Sequence, residues 1–209
     1  VVPSILTEDP ETLGTMICQA ETFTNYAQFD IMDGRFVPSR SITHRDLMKL
    51  DIKINWEAHL MVEQPESYLE DFVRTGARKV IFHYEATSSP RAVISGAREL
   101  GLEIGLAINP EIAVAAFLPL VDEVDSVLFL AVHPGFYGGE FIPEVIDKVV
   151  ELRRSRSALE IGVDGGINKN NIAQLARAEI DAFYVGSAIF RQPNPAEQYR
   201  NLVALVRES

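Results

Sequence analysis

QFDIMDG at residues 28–34 and VDGGI at residues 163–167 are the two stretches that say most about the fold. In each of them an apolar run ends near an aspartate, Asp30 or Asp164, ahead of a glycine. Such an aspartate is typical of the carboxyl end of a parallel strand, where (β/α)8 barrels gather their active sites. An aspartate in this position can equally form a turn or cap a helix, so the interpretation depends on the remaining strands.

Strand-like and helix-like segments alternate along the whole chain. Strands are expected at residues 1–6, 26–31, 54–62, 79–83, 103–108, 126–132, 159–163 and 182–185. Helices are expected at residues 10–23, 43–50, 65–75, 90–100, 111–118, 143–154, 170–177 and 195–207. Eight such units predict a parallel sheet closed into one (β/α)8 TIM barrel, a single domain over residues 1–209. An open doubly wound sheet is the alternative, but the chain lacks a GxGxxG after the first strand.

The composition bounds the possible partners. The chain has 209 residues, 47% of them hydrophobic, and a net charge of −11. We expect no nucleic-acid partner, because a basic patch is lacking, and no membrane span, because no apolar run is long enough.

The chain opens without a Met or a signal peptide, so we expect a few upstream residues to be missing. The single Cys18 is expected in the core of a cytoplasmic protein, and a homo-oligomer is possible.

Two glycine-containing turns indicate how an anionic ligand could be held despite the negative net charge. DGGI follows predicted strand 7, and GSAI at residues 186–189 follows predicted strand 8. Barrels of this kind often bind phosphate there, on loop amides and on the N-terminus of a short helix. The residues expected to hold a phosphate are Gly165, Gly166, Gly186 and Ser187.

Eight segments of the chain together resemble the ribulose-phosphate 3-epimerase family over nearly its whole length. They are PSIL (3–6), DIMDGRFVP (30–38), HLMV (59–62), FHYEA (82–86), GLAINP (105–110), HPGF (133–136), VDGGI (163–167) and GSAI (186–189). Each segment alone is weak, but MDGxFVP, HLMV, VDGG and GSAI in this order are specific. The resemblance implies a TIM-barrel isomerase that inverts one carbon of a small phosphorylated ketose.

The resemblance also implies the roles of particular residues. Asp30 and Asp164 would be the acid/base pair, one removing the proton beside the carbonyl and the other returning one to the opposite face. A divalent metal, which could be Mn, Zn, Fe or Mg, would be held by the residue at position 28 with Asp30, His59 and Asp164. It would stabilise the enediolate between the two proton transfers. Further substrate contacts are expected from Ser4, Met32, His59, Met61 and Gly138.

The sequence departs from the family pattern at several of these positions. Gln28 replaces the first metal-binding histidine, and its amide oxygen is a neutral, hard ligand that should favour zinc less than Mg²⁺ or Mn²⁺. Leu130 stands where the family has a third methionine near the substrate. The strand-6 loop carries His133, Tyr137 and Gly139 in place of the usual residues, which indicates an altered lid or substrate preference.

Three residues also have purely structural interpretations. Ser4 can be a pocket residue or a core hydroxyl bonded to the backbone. His59 can be a simple hydrogen-bonding residue, although two carboxylates converging on strand 3 favour a ligand. His83 is expected to be structural or to support the site from behind.

Two other functions remain open beside the epimerase. One is a metal-free lyase or isomerase acting on another phosphorylated substrate. Its DxKxxD signature is approached by DIKINW at residues 51–56, but that stretch ends in Trp56, a core residue, and begins before the strand. The other is a phosphosugar-binding or regulatory barrel that has lost catalysis, which the replacement at Gln28 motivates. Retention of both Asp30 and Asp164 favours the epimerase over this binder.

Overall fold

The computed structural model describes residues 1–135 and 139–209. In this part of the chain eight parallel strands pair in sequence order and close into a barrel. They are β1 Val2–Ile5, β2 Tyr26–Met32, β3 Asn55–Met61, β4 Lys79–His83, β5 Glu103–Ile108, β6 Ser126–Leu130, β7 Glu160–Asp164 and β8 Ala182–Val185. Because β8 also pairs with β1, the barrel is closed and the open doubly wound sheet is excluded.

The α-helices of the described residues connect and cover these strands. They are α1 Pro10–Glu21, α2 His44–Leu47, α3 Leu69–Arg74, α4 Pro90–Glu99, α5 Val114–Phe117, α6 Val145–Ser155, α7 Ile172–Ala176, α8 Ser187–Phe190 and α9 Pro195–Arg207. Short 3-10 turns lie at Pro65–Tyr68, Tyr84–Ala86 and Leu118–Leu120. No helix among the described residues is both long and apolar enough to cross a bilayer.

The strand register brings the polar residues of different strands to the same level of the barrel. Side chains alternate between the two faces of a strand, so Gln28, Asp30 and Met32 of β2 share its inner face. Asp30 pairs in register with His59 of β3, and Gln28 pairs with Ser4 of β1. β7 lies three steps from β2 around the ring, as expected for two carboxylates that flank the axis.

The main hydrophobic core lies between the outer faces of the strands and the helices. Trp56 of β3 is buried there, as predicted, and packs against Phe29 of β2 with ring centroids 4.9 Å apart. Cys18 was predicted to be a core residue, and this is wrong, because it is exposed. Ile17 and Ala20 occupy the inward stripe of α1, and the 3.6-residue period turns Cys18 outward.

Several element boundaries differ from the sequence expectation. The helix expected at residues 43–50 is only four residues long, His44–Leu47, and the helix expected at residues 65–75 begins as the 3-10 turn Pro65–Tyr68. Strand 6 ends at Leu130 rather than at residue 132. Short apolar helices and strands are bounded by tertiary contacts, which local patterns do not contain.

Candidate active site

A cleft of about 550 Å³, including its open mouth, lies at the carboxyl ends of the strands. Its lining brings together ten of the residues singled out in the sequence: Ser4, Asp30, Met32, His59, Met61, Asp164, Gly165, Gly166, Gly186 and Ser187. Leu130 also lines the cleft, in the place of the family's third methionine. Gly138, with Tyr137, lies outside the described residues. The expectation that these strand-end residues share one site therefore agrees with the geometry.

Asp30, His59 and Asp164 form a compact polar cluster in the cleft. One possible ligand atom from each of the three lies within 4.8 Å of the others. His59 Nδ1 is 3.0 Å from Asp30 Oδ1 and 3.7 Å from Asp164 Oδ2. Two carboxylates and one imidazole at this spacing could hold a divalent cation.

Asp30 is held by three hydrogen-bonding groups from three strands. Ser4 Oγ donates to Asp30 Oδ2 at 2.6 Å, and Gln28 Nε2 donates to Oδ1 at 3.0 Å. His59 Nδ1 meets the same Oδ1 atom at 3.0 Å. Ser4 therefore bonds to the carboxylate, so its interpretation as a pocket residue is the one that fits. Hydrogen bonds to both oxygens fix the orientation of this carboxylate in the cleft.

Gln28 is fully buried beneath the cluster and reaches both aspartates. Its Nε2 atom donates to Asp30 and also to Asp164 Oδ2, at 3.1 Å. Its Oε1 atom is buried and has no hydrogen-bond partner among the described residues. A buried amide oxygen without a hydrogen-bond partner costs free energy. The opposite amide orientation, in which the oxygen and nitrogen exchange places, would turn Oε1 towards a cation bound at the cluster.

The two carboxylates differ in electrostatic character. Burial, and then the charge of Asp30, raises the pKa of Asp164 from 3.8 to about 7, against the opposing effect of His59. The Asp164 side chain is 14% exposed and accepts hydrogen bonds from Gln28 Nε2 and from the backbone of Gly165. Two carboxylates this close share protons unequally, so Asp164 is the one that holds a proton near neutral pH in the absence of a cation.

Two buried histidines extend the cluster away from the cleft. His59 Nε2 lies 2.9 Å from His83 Nε2. Burial lowers the pKa of His59, but the hydrogen bond and charge of Asp30 and the charge of Asp164 outweigh it, so the net shift is upward. Burial, and then the charge of His59, holds the pKa of His83 well below the usual value. His83 therefore contacts His59 on the side away from the cleft, which agrees with the expectation that it is structural or supports the site.

The glycine turn after β7 lets the backbone form the cleft wall. Gly165 has φ +102°, and a Cβ atom there would lie 2.4 Å from Val132 Cγ2. Gly166 has φ +66°, and a Cβ atom there would lie 2.9 Å from the Cα of Phe141. Only glycine fits this close approach, which leaves backbone rather than side chains facing a ligand.

Sequence reasoning missed some of the residues that line the cleft. The apolar side chains Leu6, Val132 and Ile167 line it, as does Tyr184 of β8. Tyr184 fits because Gly162 of β7 faces it, where a Cβ atom would lie 2.6 Å from the tyrosine ring. The alternation along β8 points Tyr184 inward and could have identified it. His133 pairs with Glu111 at 2.9 Å and does not line the cleft.

Residues 1–190 match the profile described as the Ribulose-phosphate 3 epimerase family. The chain belongs to the ribulose-phosphate 3-epimerase family. It is therefore an isomerase of the epimerase type. The family requires a divalent metal and binds small phosphorylated sugars. Its activity is consistent with the pentose phosphate pathway.

Curated relatives support the same assignment. A ribulose-phosphate 3-epimerase of Synechocystis sp. is 37% identical over 206 residues, which are 94% of this chain and 90% of the relative. The Escherichia coli K12 enzyme of the same name is 35% identical over 202 residues, 93% of this chain and 90% of the relative. The Mycobacterium tuberculosis H37Rv enzyme is 34% identical over 204 residues, 94% of this chain and 88% of the relative.

Solved structures share the fold at low sequence identity. A 3-hexulose-6-phosphate synthase from Salmonella typhimurium has a TM-score of 0.74 at 18% identity, covering 99% of this chain and 98% of that one. A thiamine phosphate pyrophosphorylase from Pyrococcus furiosus has a TM-score of 0.67 at 16% identity, covering 99% of this chain and 94% of that one. These likenesses concern the barrel alone, because one barrel serves many chemistries.

Proposed function

We propose that this epimerase interconverts ribulose 5-phosphate and xylulose 5-phosphate, with Asp30 and Asp164 as its acid/base pair. The observation that carries the proposal is the convergence of both carboxylates on His59 inside one cleft whose wall is a glycine turn. The names of the relatives support ribulose phosphate as the substrate. Inverting one carbon needs a proton removed from one face and returned to the other, and two carboxylates meet that need.

The different settings of the two carboxylates suggest their starting states. Asp30 accepts hydrogen bonds from Ser4 and Gln28 and begins as the carboxylate that removes the proton beside the carbonyl. Asp164, whose pKa in the metal-free chain is raised to about 7 by burial and by Asp30, is the group proposed to deliver a proton to the opposite face. The reverse reaction exchanges these two states, so neither carboxylate is restricted to one role.

We further propose that a divalent metal is held by Asp30, His59 and Asp164, with Gln28 as the fourth ligand. When bound, the metal supplies positive charge that stabilises the enediolate of the substrate. The buried Oε1 atom of Gln28, which has no partner among the described residues, fits this donor set once the amide reverses. Three oxygen donors and one nitrogen should suit Mn²⁺, Fe²⁺ or Mg²⁺ better than zinc.

The substrate phosphate is proposed to bind the backbone of Gly165, Gly166, Gly186 and Ser187. These four residues line the same cleft as the aspartates, and the glycines allow a close approach of backbone amides. Backbone amides at these turns would allow a chain with a net charge of −11 to bind an anion. Met32, Met61 and Leu130 provide the apolar side of the cleft next to the sugar.

The proposal is tested by measuring epimerisation of ribulose 5-phosphate with metal-stripped protein and with protein reloaded with Mn²⁺, Fe²⁺, Mg²⁺ or Zn²⁺. The expected result is turnover that depends on a divalent ion bound at one per chain. An absence of turnover under every metal, with phosphosugar binding intact, would instead support the binding or regulatory barrel. The metal-free lyase with a DxKxxD signature has no support, since Asp51 and Lys53 precede β3 and do not line the cleft.

A further inference from the structure

Three buried polar atoms lie unpaired behind the metal-binding cluster. His83 ends β4, Glu85 follows it by two residues, and Asn109 follows β5. His83 Nδ1, Glu85 Oε2 and Asn109 Oδ1 are buried, and none has a hydrogen-bond partner of normal geometry among the described residues. Buried polar atoms are nearly always paired, so three such atoms near one another call for an explanation.

Glu85 and Asn109 both lie against the His83 ring. His83 Nδ1 is 3.9 Å from Glu85 Oε2, and the side chain of Asn109 also interacts with the imidazole. The other Glu85 oxygen accepts from the backbone N–H of Asn109 at 3.2 Å, which fixes the carboxylate beside the ring. Phe36 packs on His83 with ring centroids 4.8 Å apart. His83 Nδ1 therefore faces the Glu85 carboxylate in an enclosed setting.

The second nitrogen of His83 is in contact with the cluster. His83 Nε2 is 2.9 Å from His59 Nε2, so one of these two nitrogens donates a proton and the other accepts it. If the proton of His83 is on Nδ1, its Nε2 accepts, and His59 must donate from Nε2. His59 Nδ1, which faces Asp30 at 3.0 Å, then carries the lone pair that a cation can bind.

We propose that Glu85 and Asn109 are positioning residues that fix the tautomer of His83, and that His83 thereby presents His59 Nδ1 to the divalent metal. The part about the metal rests on the proposed function, whereas the tautomer exists without any metal. The opposite tautomer would direct the lone pair of His83 Nδ1 at the Glu85 carboxylate oxygen. It would also leave the His59 proton on Nδ1, where a cation must bind.

Two substitutions separate this role from a general effect of charge. Glu85→Gln keeps the size of the side chain but can turn an N–H donor towards His83 Nδ1, which favours the opposite tautomer. Glu111→Gln is the matched control, because it removes the same charge from an exposed carboxylate that pairs with His133. Glu111 also acts electrostatically on Glu85, so the control includes any long-range effect of that charge.

The first readout is long-range ¹H–¹⁵N correlation NMR on histidine-labelled, metal-stripped protein. Signals of the four histidines are assigned with His44→Gln, His133→Gln and His83→Gln, which leaves His59 by elimination. We expect His83 to carry its proton on Nδ1 in the parent and in Glu111→Gln, and to shift towards Nε2 in Glu85→Gln. A parent with the proton on His83 Nε2 overturns the proposal, even if Glu85→Gln does not fold.

The second readout is Mn²⁺ affinity, measured by competition with a chromophoric chelator. Groups that hydrogen-bond to a metal ligand typically change its affinity about 10- to 100-fold. Glu85 acts one contact further away, through His83, so Glu85→Gln should weaken Mn²⁺ binding by about 10-fold, at the low end of that range, and Glu111→Gln should not. Unchanged affinity with an altered tautomer overturns the link to the metal. A parent that binds no Mn²⁺ and does not epimerise ribulose 5-phosphate contradicts the proposed function instead. The NMR result on the His83 tautomer does not depend on that outcome.

Discussion

Gln28 Nε2 donates to Asp164 Oδ2 at 3.1 Å, a bond between β2 and β7 across a separation of 136 residues. The same nitrogen donates to Asp30, so one neutral amide joins both carboxylates. An amide can supply N–H donors to the pair, but it cannot neutralise two negative charges. Consistent with this, Asp164 keeps a pKa of about 7, chiefly because it is buried and next because Asp30 is close.

Gln28→His should change the metal preference of the site. An imidazole adds a nitrogen donor, so we expect Zn²⁺ affinity to rise by about tenfold or more relative to Mn²⁺. Competition with a chelator measures both affinities. Gln19→His, on the exposed face of α1, is the control and should change neither. An unaltered ratio of the two affinities would show that residue 28 does not contact the metal.

Asp30→Asn and Asp164→Asn should each abolish most of the turnover. General acid/base groups contribute roughly 10²- to 10⁴-fold, so kcat should fall by that factor while binding of the phosphosugar persists. Steady-state kinetics and isothermal titration measure the two quantities. Asp122→Asn removes an exposed carboxylate paired with Arg156 and should leave kcat unchanged. Near-normal turnover in either active-site variant would exclude that aspartate from the proton transfers.

The stability of metal-stripped protein should fall as the pH rises from about 4 to about 7. Asp164 has a pKa of about 7 in the folded chain and 3.8 as its reference, so between these values the folded state binds more protons than the unfolded state. The lost stability is at most about 4 kcal/mol, at 1.36 kcal/mol per unit. The raised pKa of His59 acts in the same direction at higher pH.

Urea unfolding at about pH 5 and about pH 8, with a chelator present, measures this dependence. Asp164→Asn removes the titrating group and should flatten the profile, making the metal-stripped variant more stable than the parent at the higher pH. A parent whose stability rises across this interval would contradict the assignment of the proton to Asp164.

Gly165→Ala should destabilise the protein more than Gly76→Ala. Both glycines have positive φ, +102° and +86°, but a Cβ atom at Gly76 meets no heavy atom within 4 Å. Gly76→Ala therefore reports backbone strain alone, about 1–2 kcal/mol. Gly165→Ala adds the collision with Val132, about 1–3 kcal/mol more, and should raise the KM for the phosphosugar. Equal losses of stability in thermal unfolding would show that Val132 moves aside freely.

Much of the fold and part of the site could be predicted because they follow from local patterns. The alternation of strands and helices specifies the barrel, and the strand ends at Asp30 and Asp164 then have to meet at its mouth. His59 followed from the same reasoning, since β3 lies beside β2. These residues are determined by strand order and by the two-residue period of a strand.

Other features depend on side-chain contacts that no local pattern contains. The sequence suggested Gln28 as a ligand, but it could not show that the amide nitrogen rather than the oxygen faces the two carboxylates. It also did not reveal that His83 touches His59, because the inward turn of two rings depends on how neighbouring strands pack. The prediction that Cys18 lies in the core was wrong, because a helix sequence with many apolar residues does not specify which of its faces packs against the barrel.

Solvent deuterium incorporation into ribulose 5-phosphate is the most direct test of the two-aspartate epimerase. Metal-loaded parent protein in D₂O should place deuterium on the carbon beside the carbonyl and form xylulose 5-phosphate, as followed by NMR. Asp30→Asn and Asp164→Asn should each lose epimerisation. Parent protein that binds the sugar phosphate and a divalent metal, yet neither exchanges this proton nor forms the epimer, would contradict the proposed function.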